Sequence, residues 1–139
     1  MTREQANYYG VLVLLVPFVL FALAISVAAA RETAVYPQQT VPGGDPQAGR
    51  AIISAYGCGT CHTIPGVVGA DATVGPPLIG LAERSYIAGK LPNTADNLVL
   101  WIQYPQEVDP GVAMPDLGVS EPAARDIAAY LYTLEDDRR

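Results

Sequence analysis

Two cysteines three positions apart, followed directly by a histidine, form the motif Cys58-Gly59-Thr60-Cys61-His62. On a helical turn, positions i and i+3 share a face, so both thiols point to the same side. Thiols at this spacing reach the two vinyl groups on one edge of a porphyrin, and the histidine beneath the ring offers a nitrogen to its iron. The motif therefore predicts one covalently attached c-type haem, with Cys58 and Cys61 as the attachment points and His62 as an iron ligand.

Three other uses of a Cys-x-x-Cys pair compete with this interpretation: a redox-active dithiol, half of a zinc site and a structural disulfide. A dithiol of the thioredoxin type opens a helix within a βαβ pattern, whereas glycine- and proline-rich sequence follows this pair. A structural zinc site needs four ligands, and the chain offers only Cys58, Cys61 and His62 as thiolate or imidazole ligands. Carboxylates would have to complete such a site. Haem attachment is the interpretation that the sequence favours.

The N-terminal segment is strongly apolar. Residues 5–30 contain no charged side chain, and residues 10–30 are almost wholly hydrophobic. About 20 helical residues cross the hydrocarbon core of a bilayer, so residues 1–32 are predicted to form an N-terminal transmembrane helix. The alternative is a cleaved signal peptide, for which residues 26–30 supply small side chains near a cleavage site. The apolar run exceeds the ~7–15 residues of a signal core, which favours a retained anchor.

Beyond the apolar segment the chain is acidic, with six lysines and arginines against twelve aspartates and glutamates over residues 33–139. A phosphate backbone demands a basic patch, so nucleic acid is excluded as a natural partner. Charge steering, where it acts, would favour a basic surface on a protein partner.

Turn and capping residues divide the remainder into a Pro/Gly-rich linker over residues 33–47 and an all-α domain over residues 48–139. Asp45 and Pro46 suit the start of a helix that leads to Cys58. A second helix is predicted over residues 97–103, capped by Asn93 or Thr94 and ended by prolines that open a long loop. A last helix begins near Ser120, and its apolar residues recur at helical spacing. No strand pattern is recognised.

Four stretches taken in order resemble the class I cytochrome c family over residues 44–134. They are Gly49-x-x-x-Ile53 before the cysteine motif, Gly75-Pro76-Pro77-Leu78 after it, residues 98–105 followed by residues 110–115, and residues 125–131. The resemblance implies a small helical haem domain that transfers electrons. One departure is Ile53, which stands where the family usually has an aromatic residue, and it concerns packing more than chemistry.

The resemblance also implies roles for single residues. Cys58 and Cys61 would form the thioethers, and His62 would be the proximal ligand. The carbonyl of Pro77 would accept a hydrogen bond from the other ring nitrogen of His62. Met114 would be the distal ligand, which fills both axial positions and raises the reduction potential. Gly49 and Tyr130 would mark the crossing of the first and last helices, where glycine would let the aromatic ring approach.

Met114 has support from its position as well. It is the only methionine besides the initiator and lies in a proline-bounded loop, although a lone methionine is more often core filler. Candidates for packing on the porphyrin and candidates for binding its propionates are less distinctive, since any of them also suits an ordinary core or surface. The packing candidates are Leu78, Ile79, Leu98, Trp101 and Ile102, and the propionate candidates are Arg84, Tyr86, Lys90 and Trp101.

The predicted function is single-electron transfer on the outer, periplasmic face of the cell membrane, because haem attachment of this kind takes place there in bacteria. Predicted partners are subunits of a quinol-oxidising complex, including the alternative complex III type, of a haem–copper oxidase, or of a photosynthetic complex, together with the bilayer around the N-terminal helix. Alternatives are a tethered shuttle and a five-coordinate haem sensor or peroxidase. No catalytic dyad or triad is recognised, so the chain is predicted not to be an enzyme by itself.

Overall fold

The computed structural model describes residues 5, 13, 15–26 and 39–135. The chain divides into two compact units, Met1–Tyr36 and Pro37–Arg139. In the first unit, residues 15–26 are helical. The predicted linker over residues 33–47 and the predicted anchor over residues 1–32 both fall partly outside the described residues.

The prediction of an N-terminal transmembrane helix is the part of the fold class that the structure contradicts. Within the described residues, no helix combines the length and the apolar character that crossing a bilayer requires.

The second unit contains four helices and one small hairpin among its described residues. The helices are α1 (Pro46–Ala55), α2 (Ala95–Gln103), α3 (Pro105–Val108) and α4 (Glu121–Leu131), with 3₁₀ turns at Cys58–Thr60 and Leu81–Glu83. Strands β1 (Tyr86–Ile87) and β2 (Leu91–Pro92) pair antiparallel, with Ile87 opposite Leu91. The hairpin is also absent from the predicted all-α class. Its two-residue strands are too short to produce the alternating pattern from which a strand is predicted.

Side-chain caps set the helix starts close to where the sequence predicts them. The Asp45 carboxylate accepts from the backbone N–H of Gln47 at 2.8 Å, and Pro46 follows at the first helical position. Thr94 caps α2, which begins two residues earlier than predicted, and Ser120 caps α4. Helix α3 was not predicted. Its first residue, Pro105, was interpreted in the sequence only as the residue that ends α2, although proline also suits the first position of a new helix.

Helices α1 and α4 cross at Gly49, and this contact is closer than side chains allow. A Cβ at Gly49 would overlap the carbonyl oxygen of Asp126 and lie 3.0 Å from the backbone nitrogen of Ile127. The predicted crossing of the first and last helices at Gly49 is present, but the atoms nearest to a Cβ there belong to the α4 backbone and not to the Tyr130 ring. The Tyr130 hydroxyl instead donates to the carbonyl of Pro65 at 2.6 Å, beside Gly66.

A buried amide joins the chain after the second 3₁₀ turn to the end of α4. Asn93, only 8% exposed, donates through Nδ2 to the carbonyls of Leu81 and Arg84 at 2.7 and 2.8 Å. Its Oδ1 accepts from the Tyr132 hydroxyl at 2.8 Å. Burial raises the pKa of Tyr132 to about 12.

We predict that Gly49→Ala lowers the free energy of unfolding by about 1–3 kcal/mol or more, because two backbones must separate to admit the methyl group. Chemical denaturation followed by far-UV circular dichroism measures the change. Gly111→Ala is the matched control, since a Cβ there meets only the Asp109 carboxylate at 3.9 Å. Equal stabilities of the two variants would contradict the close crossing.

The buried Tyr132 hydroxyl predicts alkaline destabilisation. Between the unfolded pKa of about 10 and the folded pKa of about 12, the folded state holds a proton that the unfolded state has released. The free energy of unfolding therefore falls as pH rises through this interval. Tyr132→Phe is expected to be less stable at neutral pH, because Asn93 loses a partner, yet to lose less stability between pH ~10 and ~12. If the free energy of unfolding fell equally with pH in the wild type and in Tyr132→Phe, the predicted role of Tyr132 would be refuted.

Candidate functional site

A cavity of about 470 Å³ opens in the second unit, within the size range of about 300–1,000 Å³ that is usual for ligand sites. It is bounded by the end of α1, the motif turn, the hairpin, α2, α4 and the loop between α3 and α4. Its walls are mostly apolar. The buried hydrophobic residues that line it are Ile53, Leu81, Ile87, Leu98, Trp101, Ile102, Val119, Ile127 and Leu131.

The cysteine motif enters the cavity on a tight turn. Gly57 ends the preceding helical segment with φ 72°, which glycine adopts without strain. Cys58–Thr60 then form a 3₁₀ turn, and the N–H of His62 donates to the carbonyl of Cys58 at 3.0 Å. In a 3₁₀ helix positions i and i+3 are eclipsed, so the thiols of Cys58 and Cys61 lie on one side. Both thiols line the cavity, and both are free.

The state of the thiols bears on the competing interpretations. Burial raises the pKa of the Cys58 thiol and the nearby Cys61 raises it further, while a backbone hydrogen bond opposes them. Reactive dithiols and thiolate metal ligands need a lowered pKa. Within the described residues, no group of three or more His, Cys, Asp or Glu gathers as a metal site would need. The pair of free thiols beside an apolar cavity suits thioether formation.

His62 is held by the loop that follows the motif. Its Nδ1 lies 2.8 Å from the carbonyl oxygen of Pro76. Because a carbonyl only accepts, Nδ1 must carry the proton, which leaves Nε2 with a lone pair for a metal ion. Gly75 lies against the ring, and its N–H donates to the carbonyl of Cys61 at 2.7 Å.

The predicted acceptor for His62 was wrong by one residue. The carbonyl of Pro77 accepts instead from Nη2 of Arg84, which also donates to Ile79 at 3.0 Å. Two consecutive prolines offer carbonyls in neighbouring positions, and only the path of the backbone decides which one faces the imidazole. Pro77 is also absent from the residues that line the cavity.

Met114 reaches the same cavity from the loop between α3 and α4. Its side chain is half-buried and packs against the hydrophobic core. The fold thus brings the thioether of Met114, which is distant in the sequence, to the same apolar space as the two thiols and the imidazole of the cysteine motif. This donor set and the cavity volume fit a haem that Cys58 and Cys61 would hold covalently and that His62 and Met114 would ligate.

The other predicted site residues divide into two groups. The predicted residues that line the cavity are Leu78, Arg84, Leu98, Trp101 and Ile102. The cavity does not include Ile79, Tyr86 or Lys90: Tyr86 is 59% exposed, and Lys90 pairs with Asp109 at 3.5 Å. Lining residues that sequence reasoning missed include Ile127 and Leu131 of α4. Helical periodicity marks these as buried but does not tell a helix contact from a cavity wall.

Comparison with known proteins shows two similarities. The chain is 33% identical to cytochrome c2 of Rhodopila globiformis, over 69% of this chain and 99% of that protein. It is 35% identical to cytochrome c oxidase subunit 2 of Alkalihalophilus pseudofirmus, over 63% of this chain. The chain spans only a quarter of the length of that oxidase subunit. No protein-family profile matches the chain.

The packing of Gly75 on the imidazole yields a prediction. A Cβ at this position would lie 2.5 Å from Cε1 and 2.7 Å from Nδ1 of His62. We expect Gly75→Ala to displace the ring, break its bond to Pro76 and reduce the fraction of purified protein that carries haem, measured as the ratio of pyridine haemochrome to protein. Gly111→Ala should leave this ratio unchanged. Full haem content with an unaltered spectrum in Gly75→Ala would contradict this role.

Proposed function

Because this chain belongs to the cytochrome c family, we propose that it carries one covalently attached haem c and transfers single electrons. The observation that carries the proposal is the donor set around the cavity. Cys58, Cys61, His62 and Met114 all line it, and its remaining walls are mainly apolar. None of the three alternative uses of a Cys-x-x-Cys pair, a redox dithiol, half of a zinc site or a structural disulfide, accounts for all four side chains.

Each of these residues has a distinct task in the proposed site. Cys58 and Cys61 would hold the porphyrin edge as thioethers, and Nε2 of His62 would bind the iron. The Nδ1–H bond to Pro76 keeps the imidazole in one tautomer and one orientation and strengthens its donation to the metal. Met114 would supply a second protein ligand to the iron through its thioether sulfur. When bound, haem c supplies the one-electron couple between ferric and ferrous iron.

The surroundings of the site support electron transfer over chemistry on a bound substrate. If His62 and Met114 both bound the iron, no coordination position would remain open for oxygen or peroxide. The apolar walls exclude water, and a thioether ligand in such surroundings favours the reduced state. Arg84 and Trp101 line the cavity and supply N–H donors for the propionates, although two carbonyls already engage Nη2 of Arg84.

For the partner, we propose a terminal oxidase complex of the respiratory chain. The similarity to a cytochrome c oxidase subunit 2 supports this choice over a quinol-oxidising complex. The chain itself lacks a Cys-x-x-x-Cys copper motif, since Cys58 and Cys61 are its only cysteines. The copper-bearing role of such a subunit is therefore not part of the proposal. Co-purification with oxidase subunits after gentle extraction would support it, and co-purification with quinol-oxidising subunits would favour the other partner.

We further propose that the haem domain acts outside the cytoplasm, on the periplasmic side. This proposal rests on chemistry, because c-type haem is joined to its cysteines on that side of the bacterial membrane. Fusion of a reporter that is active only outside the cytoplasm to the C-terminus would test the location. Activity of a cytoplasmic reporter at that position, with haem attached, would refute it.

The ligand assignment predicts the behaviour of Met114→Leu, which keeps the bulk of the side chain and removes the sulfur. We expect the wild-type protein to titrate reversibly with one electron, show the weak long-wavelength band of methionine-ligated ferric haem, and bind carbon monoxide slowly when reduced. Met114→Leu should lose the band, lower the midpoint potential and bind carbon monoxide rapidly.

Val112→Ala is the control for this substitution, because Val112 lines the cavity from the same loop but bears no ligand atom. It should retain both the band and the slow carbon monoxide binding. A wild-type protein that lacks the band and binds carbon monoxide rapidly would instead indicate a five-coordinate haem sensor or peroxidase.

A further inference from the structure

The segment that carries Met114 has little support from its own backbone. Residues 113–119 lie in neither helix nor strand, and all of them except Met114 and Val119 are exposed. In the part of the chain that the structure describes, no backbone–backbone hydrogen bond involves residues 113–119. The last such bond before the segment joins the N–H of Val112 to the carbonyl of Asp109 at 2.9 Å. Something other than a hydrogen-bonded backbone must hold Met114 toward the cavity.

One side-chain hydrogen bond lies two residues after Met114. The N-cap residue of α3, Tyr104, provides no side-chain cap. The carboxylate of Asp116 takes that place, because its Oδ1 accepts from the backbone N–H of Gln106 at 3.3 Å. The first N–H groups of a helix have no partner within the helix, so a carboxylate there satisfies a free donor and complements the helix dipole. The bond ties the segment to the start of α3.

A second bond lies at the end of the segment. Gln103, the last residue of α2, donates through Nε2 to the carbonyl of Val119 at 3.2 Å. The side chain of Val119 is buried and lines the cavity, so this bond fixes the point where the segment re-enters the core. Helix α2 is itself well anchored, because Leu98, Val99, Trp101 and Ile102 are buried.

We propose that Gln103 and Asp116 are positioning residues for Met114: they clamp residues 113–119 onto α2 and α3, so that the thioether stays directed at the cavity. The inference rests on the proposed haem ligation and adds which residues maintain it. Breaking either bond releases the segment while leaving the crossing of α1 and α4 intact, because neither Gln103 nor Asp116 belongs to that crossing. The clamp therefore controls loss of Met114 from the iron, rather than global unfolding.

The experiment compares Asp116→Ala, Asp116→Asn and Gln103→Glu with the wild-type holoprotein. Asp116→Asn keeps an Oδ1 acceptor and should retain the long-wavelength band to nearly the wild-type temperature. In Gln103→Glu the ionised carboxylate cannot donate to the carbonyl of Val119. Glu107→Ala is the control for charge, since it removes one exposed negative charge from α3, the short helix whose first turn Asp116 contacts. The measurement is the long-wavelength band of the ferric protein during heating, beside far-UV circular dichroism and the midpoint potential.

We expect Asp116→Ala and Gln103→Glu to raise the fraction of protein without the Met114–iron bond by about two- to tenfold at a given temperature, the size expected for one lost hydrogen bond. Carbon monoxide binding to the reduced protein should quicken in parallel. The far-UV transition should move little in either variant.

Two results would overturn the inference and are distinguishable from failure of the proposed function. If the wild-type protein shows the band but Asp116→Ala and Gln103→Glu lose it at the wild-type temperature, the clamp is refuted while the ligation stands. If Asp116→Asn or Glu107→Ala loses the band as readily as Asp116→Ala, the effect belongs to charge and not to the hydrogen bond. Absence of the band from the wild-type protein refutes the ligation itself and the clamp with it.

Discussion

The contact between the backbones of α1 and α4 at Gly49 is the constraint on which the site depends. A side chain at this position would collide with the carbonyl of Asp126, so only glycine lets the two helices approach. Their approach matters because α1 leads directly into the cysteine turn, and α4 contributes Ile127 and Leu131 to the cavity wall. Separation of the helices would move the thiols away from the apolar surface that a porphyrin must contact.

Rigidity is unevenly distributed around the cavity. On the His62 side, backbone hydrogen bonds join Gly75 to Cys61 and Leu78 to Thr63, so the loop that orients the imidazole is fastened to the motif itself. On the Met114 side, within the described residues, the corresponding bonds are made by side chains and not by backbone. In such a site the loop that orients His62 would be the more rigid one, whereas the position of Met114 would depend on a few side-chain hydrogen bonds. Local opening is expected where backbone hydrogen bonds and buried contacts are few.

Local signals allowed good prediction of single elements. The caps Asp45, Thr94 and Ser120 were recognisable because each side chain acts within three residues of its own position. The hairpin was not predicted, since its two-residue strands carry no pattern and Ala88 adopts a positive φ of 50°, which alanine does not signal. The transmembrane helix was predicted from the length of the apolar run, and no helix among the described residues is long and apolar enough to support it.

The sequence by itself determined the chemistry available to this protein: two thiols and an imidazole at a fixed spacing, and a single methionine beyond the initiator. The identity and order of these residues are fixed by the covalent structure, so they can be known without the tertiary structure. Only the tertiary structure decided that Pro76, and not Pro77, accepts from His62, and that Gln103 bonds to Val119 and Asp116 to Gln106. Such choices depend on the direction of carbonyls and side chains, which is set by packing between segments distant in the chain.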